Sequence, residues 1–486
     1  MARKRTQEQS FNPPTQSIFS PFRLFSDAQL EALHHASLEI LRRTGVRVND
    51  DQALQLLRQA GCWVEDNLVR FPAAVVERAL EHLPSRVVLC NRTGEARLYL
   101  EGSRSFFGTG SDLPYTRDLV SGERRATLLE DVQNVARLVD ALPNLDFLMS
   151  MGLPSDVPAE KADRHNFFTM ISNTVKPVVF TAWDQYGLQD IIDMAVVAAG
   201  SRSALARAPF LLAYLEPVSP LQHSQEVLRK IFLMADYGLP FVYSPAPIDG
   251  GTAPVTLAGC IAQANAEVMS GVVIAQLYRP GTPVVWGAGS GPLDMRTLLN
   301  VYTGPETMQH CMAMAELAHH YYHVPVWGFA GCSDSKLPDA QAGAESALWT
   351  LWSALAGANL VHDVGYIENG LTCSMEMIAV NDEIISQVRR LLNGIRIDPE
   401  TLALDAIDQV GPGGSFIEHP HTTAHYREVW YPRIFDRRAY NAWEERGRPT
   451  AVSNARALAQ QTLSEHLPLP LGAEQTAAMQ TILERG

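Results

Sequence analysis

Between about residue 105 and residue 395 the apolar positions of this chain alternate between two patterns. Short runs of consecutive apolar residues, bounded by Gly, Pro, Ser and Asp, are each followed by a longer stretch in which apolar side chains recur at helical spacing. The short runs occupy residues 105–108, 145–150, 177–181, 210–214, 240–243, 283–286, 325–329 and 360–361. They read as buried strands. The stretches at 127–142, 188–199, 224–237, 257–277, 305–321, 338–357 and 373–392 read as helices. Two of these, at 305 and 338, begin with Pro followed by an acid, a favourable first helical turn. Eight strands, each leading into a crossover, predict an α/β chain folded as a (β/α)8 barrel. A doubly wound open sheet is the alternative, and it normally uses fewer strands.

The flanks read differently. Residues 1–25 are rich in Pro, Gln and Ser and are expected to form a loose arm. Residues 26–103 predict a small α+β unit: helices at 26–44, from Asp50 or Asp51 to Gly61, and from Pro72, then a hairpin pairing 87–90 with 98–100. The barrel is expected over 104–395. Residues 396–486 form a C-terminal extension with helices at 398–411 and 453–467, placed to cover the barrel or to mediate assembly into a homo-oligomer.

Composition narrows the function. Hydrophobic residues make up 46% and charged residues 19% of the 486, which fits a globular enzyme. A formal net charge of -14 argues against a duplex nucleic-acid partner, whose phosphates demand a basic footprint. The six cysteines form no CxxC pair, so neither a zinc ribbon nor a redox motif is indicated, and buried free thiols are expected. The basic start at residues 2–5 is followed by polar residues, unlike a secretory signal, and the apolar stretches carry polar breaks. A cytoplasmic protein with no membrane partner is expected.

In a (β/α)8 barrel the chemistry gathers where the strands end. Aromatic residues recur at those lips: Phe107, Trp183, Tyr214, Tyr243, Trp286, Phe329 and Tyr366. A ring of aromatic faces suits a quaternary ammonium, which has no N–H to donate and is held by cation–π attraction. Strand alternation also turns half of such residues outward, where they are ordinary core. His362, Glu216 and Asp334 are the polar lip residues with catalytic potential. Gly287, Gly289 and Gly291 allow a large flat ligand to approach, yet their spacing is no dinucleotide fingerprint. His419, His421 and His425 cluster without a nearby Cys, and a solvated or interface cluster is expected there.

Four stretches in this order carry a resemblance: residues 44–48, 216–220, 331–336 with 339–343, and 362–366. Together they resemble the trimethylamine methyltransferase family, in particular its non-pyrrolysine branch, which includes glycine betaine methyltransferases. The likeness spans nearly the whole chain beyond the first 25 or so residues. It implies a barrel enzyme that moves a methyl group from a methylated amine to the cobalt of a reduced corrinoid, usually carried by a small partner protein. The archaeal trimethylamine enzymes carry pyrrolysine here; this chain has only standard residues, which favours a quaternary amine such as glycine betaine or a related betaine. A quaternary nitrogen already leaves as a neutral amine, so no zinc is expected.

On this reading Trp183, Tyr214, Tyr243, Trp286, Phe329 and Phe107 are expected to cage the substrate. His362 is expected to hold a substrate carboxylate or face the cobalt, with Glu216 and Asp334 as further catalytic polar groups. Gly287, Gly289, Gly331 and Ser333 are expected to make room for the corrin ring. Two other readings stay open: a corrinoid-independent barrel lyase or decarboxylase, and a non-enzymatic betaine- or cobalamin-binding protein.

Overall fold

A computed structural model describes residues 22–287 and 289–485. The expected arm therefore lies largely outside the described residues. Its last residues do not hang free: Phe22 packs on Trp352 with ring centroids 5.6 Å apart, and the Phe25 amide donates to Glu316 at 3.2 Å.

The eight expected strands form one closed parallel ring. They are β1 (Phe106–Phe107), β2 (147–148), β3 (Val178–Phe180), β4 (Leu211–Leu215), β5 (Phe241–Tyr243), β6 (Val284–Trp286), β7 (Trp327–Phe329) and β8 (Leu360–His362). Gly108 bridges Phe147, Leu148 bridges Val178, and Trp286 bridges Val326. The ladders β3–β4, β4–β5, β5–β6 and β7–β8 complete the wall. Pairing of Val361 with Phe107 closes β8 onto β1. The strands are buried on both faces, which is why they read as continuous apolar runs with no polar alternation.

Eight helices surround the ring: α1 (Leu129–Ala141), α2 (Ala162–Asn173), α3 (Gln185–Ala199), α4 (Gln225–Tyr237), α5 (Leu257–Tyr278), α6 (Pro305–Glu316), α7 (Ala340–Ala356) and α8 (Met375–Leu392). Side chains cap several of them. Asp184 accepts from the Tyr186 and Gly187 amides, and Asp339 accepts from Ala342. The sequence pattern misses α2 because a polar residue sits on its buried face. Asn166 is buried there and donates to the Gly152 carbonyl at 3.0 Å. The α5 helix is long and apolar enough to cross a membrane, but here it is the inner helix between the barrel and the N-terminal unit.

That N-terminal unit has its three expected helices and its hairpin. It also has a small sheet the pattern did not reveal, in which Val46–Val48 pairs with residues 222–223 of the loop after β4. The C-terminal extension lies along the barrel's outside. Helix Ala451–Glu465 packs on α8 and α1, and helix Ala473–Leu483 packs on α3.

Candidate active site

Strand parity sorts the lip residues. Phe329 and His362 are register partners in adjacent parallel strands, so both point to one face, the barrel interior. Their ring centroids are 4.4 Å apart. Trp327, two residues before Phe329, points the same way and lies 4.4 Å from the His362 ring. Tyr214 stands 5.7 Å from Trp327 and 6.2 Å from His362. These four rings floor a cavity of about 270 Å³ at the C-terminal mouth of the barrel, where Tyr214, Phe329 and His362 line it. Tyr302, Trp349 and Tyr366 add aromatic wall, and Asp112, Glu216 and Asp363 supply carboxyl groups. Among the described residues, no Lys or Arg lines it.

The other expected cage members face elsewhere. Tyr243 and Trp286 are register partners on the opposite face of the wall. Trp286 stacks on Tyr322 at 4.5 Å, outside the barrel. Tyr243 hydrogen-bonds His223 and lies so close to Gly271 of α5 that a Cβ there would come within 2.1 Å of its ring. Phe107 also turns outward, under the Arg389 guanidinium at 5.7 Å. Trp183 is on the rim, 67% exposed, its backbone N–H donating to Asp163 at 2.9 Å.

Of the expected corrin-facing residues, only Gly289 lines the cavity. A Cβ on it would stand 2.3 Å from the Phe329 ring, so its bareness lets Phe329 take its place. Gly287 packs on Ser244, and Gly331 turns with φ +66° against Val364 and Asn381. Ser333 donates to Glu345 at 2.6 Å inside its own loop. Asp334 stands behind the wall, accepting from the Thr303 amide at 3.4 Å, and burial raises its pKa.

The carboxyls are held with care. Burial pushes Asp363 up to about 7 and Glu216 up to about 7, and raises Asp112. Glu216 and Asp112 reach the open mouth, whereas Asp363 is closed in. Asp112 accepts from Ser111 at 3.0 Å and Thr181 at 3.2 Å. Asp363 accepts from Tyr302, and its Oδ1 is 3.1 Å from His362 Nε2. Asp112 and Asp363 both adopt left-handed backbone, with φ +63° and +76°. Asp tolerates this better than most residues, and such strain clusters at functional sites.

His362 is neutral. Its Nδ1 is 2.9 Å from the Gly328 carbonyl, which only accepts, so Nδ1 carries the proton. Burial pushes its pKa down to about 3. It therefore offers no positive charge for a substrate carboxylate, contrary to the expectation from its lip position. The histidines at 419, 421 and 425 lie far along the C-terminal extension, where His425 pairs with Glu428 and His419 with Gln409. Among the described residues, no group of three or more His, Cys, Asp or Glu side chains is placed to hold a metal ion.

The model of the trimethylamine methyltransferase family matches residues 1–485. The chain belongs to the trimethylamine methyltransferase family. It is 32% identical over 467 residues to the trimethylamine methyltransferase MttB of Desulfitobacterium hafniense (strain DSM 10664 / DCB-2), covering 95% of this chain and 93% of the relative. It is 30% identical to the glycine betaine methyltransferase of Desulfitobacterium hafniense (strain Y51), over 96% of this chain and 98% of the relative. Among solved structures, the hydroxylamine MtmB complex superposes with a TM-score of 0.50 at 13% identity, covering 90% of this chain and 94% of that one, a likeness of fold. As a member of the trimethylamine methyltransferase family, the protein is a methyltransferase, and the barrel cavity is its candidate active site.

Proposed function

We propose that this enzyme takes a methyl group from a quaternary ammonium and passes it to the cobalt of a reduced corrinoid carried by a partner protein over the barrel mouth. The observation that carries the reading is the cavity itself. It sets the rings of Tyr214, Phe329, Tyr302 and Tyr366 around Asp112, Glu216 and Asp363, with no cationic side chain among the described lining residues. Aromatic faces with acidic groups at the mouth of a pocket attract a cation, and each desolvated ring contact contributes about 2 kcal/mol. A relative named for glycine betaine, itself a quaternary ammonium, supports the same class.

The chain's residues bind, orient and exclude water. When a quaternary C–N bond breaks, the electron pair stays on nitrogen and a neutral tertiary amine leaves, so no proton is needed there. The corrinoid supplies the cobalt(I) electron pair that takes the methyl carbon. What remains for the protein is to aim one N-methyl out of the cavity, a matter of proximity and orientation. A corrinoid would reach the cavity through its open mouth.

The rim supports a docked partner. Each of the eight βα loops carries an exposed large apolar residue: Val120, Leu153, Trp183, Val218, Val255, Leu298, Leu337 and Leu371. Trp183, expected in the cage, thus serves better as a docking residue. Ile397 and Ile417, exposed apolar residues of the C-terminal extension, support self-association into a homo-oligomer.

Mixing the enzyme with cob(I)alamin or a reduced corrinoid protein and a panel of quaternary amines tests the reading. Conversion of the cob(I)alamin spectrum to that of methylcobalamin is expected with at least one of them. Turnover of trimethylamine alone would replace the substrate class, and turnover of no methylated amine would overturn the reading.

A further inference from the structure

Resting on the reading that the cavity takes a quaternary ammonium, we propose that the substrate is a net cation with no carboxylate of its own, a choline-like alcohol or simple tetraalkylammonium, not a zwitterionic betaine. A betaine brings one carboxylate that must lose its water on entering. Something in the cavity must replace that water, by a positive charge or by free hydrogen-bond donors.

No positive charge is provided, and few donors are left free. Among the described lining residues there is no Lys or Arg, and His362 is neutral with its one N–H committed to the Gly328 carbonyl. The lining hydroxyls are committed as well, each to an acceptor of the chain itself. Tyr302 donates to Asp363 and Tyr366 to the Ser111 carbonyl. Ser290 donates to Asp249, Thr307 to the Val301 carbonyl at 2.7 Å, and Ser111 to Asp112 at 3.0 Å. The Tyr214 hydroxyl is hydrogen-bonded to Glu216.

The neutral N–H groups of Trp349 and Asn300 remain, and neither carries charge to oppose three carboxyl groups. Asp363 cannot turn into a donor for the ligand either. In its protonated form its hydrogen faces His362 Nε2, which is 3.1 Å away and has no proton of its own. A betaine carboxylate would thus meet Asp112 and Glu216 without a counter-charge. An ammonium bearing only methyl groups and a hydroxyethyl arm meets them as their counter-ion.

Titration calorimetry of the full-length enzyme at pH 8 with choline, tetramethylammonium, glycine betaine, proline betaine, carnitine and γ-butyrobetaine tests this, alongside methyl transfer from each compound. Choline or tetramethylammonium is expected to bind at least about tenfold more tightly than any carboxylated compound. Glu216→Gln is expected to weaken the cations and to narrow that gap, with the variant's far-ultraviolet circular dichroism unchanged. A betaine that binds as tightly as choline, or more tightly, and is demethylated would overturn the inference while leaving the proposed function standing. Methyl transfer from none of the compounds would overturn the proposed function and the inference with it.

Discussion

His362 Nε2 lies 3.1 Å from Asp363 Oδ1, a contact that a neutral His362 and a protonated Asp363 satisfy together. The Gly328 carbonyl fixes the His362 hydrogen on Nδ1, so a deprotonated Asp363 would set a carboxylate oxygen against a bare ring nitrogen. Burial of Asp363 favours the same state, with its pKa pushed up to about 7.

A stability prediction follows from the sign of that shift. A carboxyl whose folded pKa is raised gives stability that is full below its unfolded pKa, near 3.8, and is lost as pH climbs through the folded value, about 7. Asp363→Asn reproduces the protonated geometry, donating to His362 and accepting from Tyr302. Between pH 4 and 7 the variant should therefore gain on the wild type by up to ~1.4 kcal/mol per pH unit. Urea unfolding across that range measures it; parallel curves for the two proteins would contradict the assignment.

Ligand binding should show the opposite trend with pH. Glu216, pushed up to about 7, is protonated below that pH and charged above it. Affinity for a quaternary cation should rise by about tenfold per unit as pH climbs toward 7 and then level off. Glu216→Gln should flatten this profile and lower kcat/KM by roughly 10- to 100-fold at pH 8. A profile through pH 7 that survives in the variant would assign the titration to another group.

The two sets of aromatics should separate in a binding and stability comparison. Tyr214→Ala and Phe329→Leu remove rings from the cavity and should each cost about 1–2 kcal/mol of amine binding. Trp286→Ala removes a ring packed on Tyr322 outside the barrel and should cost about 3–5 kcal/mol of folding stability. Calorimetry and chemical unfolding of the same samples distinguish these. Loss of binding in a stable Trp286 variant would show that its ring reaches the ligand.

How much of this could be read from the chain depended on whether the signal was local. All eight strands were legible because each is an apolar run between turn residues, and β7 with its lip is a clear instance. Which face each residue takes was not legible. A strand buried on both sides has no polar residue to mark its outward positions, so Tyr243 and Trp286 looked equivalent to Tyr214 and Phe329. Parity emerges only from register across the closed ring. Asp112 and Tyr302 were missed as site residues for a similar reason, since they enter the cavity from loops whose turns no local rule specifies. The left-handed Asp112 and Asp363 were marked locally only by being Asp, a residue that tolerates positive φ. Ring closure itself, Phe107 against Val361, is a contact across more than half the chain.

Gly289 gives a compact test of the cavity floor. A Cβ there would stand 2.3 Å from the Phe329 ring, so Gly289→Ala must push that ring aside. Amine affinity is expected to fall about tenfold or more. Gly343, whose Cβ position in α7 meets nothing within 4 Å, is the control. Gly343→Ala should leave binding unchanged and stabilise the helix by about 0.5–1 kcal/mol. Equal binding in both variants would remove Phe329 from the cage.

Acidic substitutions on the rim should divide binding from transfer. Trp183→Asp with Leu298→Asp places charge on the apolar ring without touching the cavity. The double variant should bind quaternary amines normally by calorimetry yet show a KM for the corrinoid protein raised by about tenfold or more. An unchanged KM would move the docking surface elsewhere.

The most direct measurement follows the methyl carbon itself. The enzyme, a reduced corrinoid protein and a quaternary amine labelled with carbon-13 in its N-methyl groups are combined without oxygen, and the corrinoid and the amine are analysed by mass spectrometry and NMR. The account predicts one labelled methyl on cobalt for each tertiary amine released, and loss of that transfer in the Tyr214→Ala and Glu216→Gln variants. Tertiary amine formed without label on the corrinoid, or no product from any quaternary amine, would contradict it.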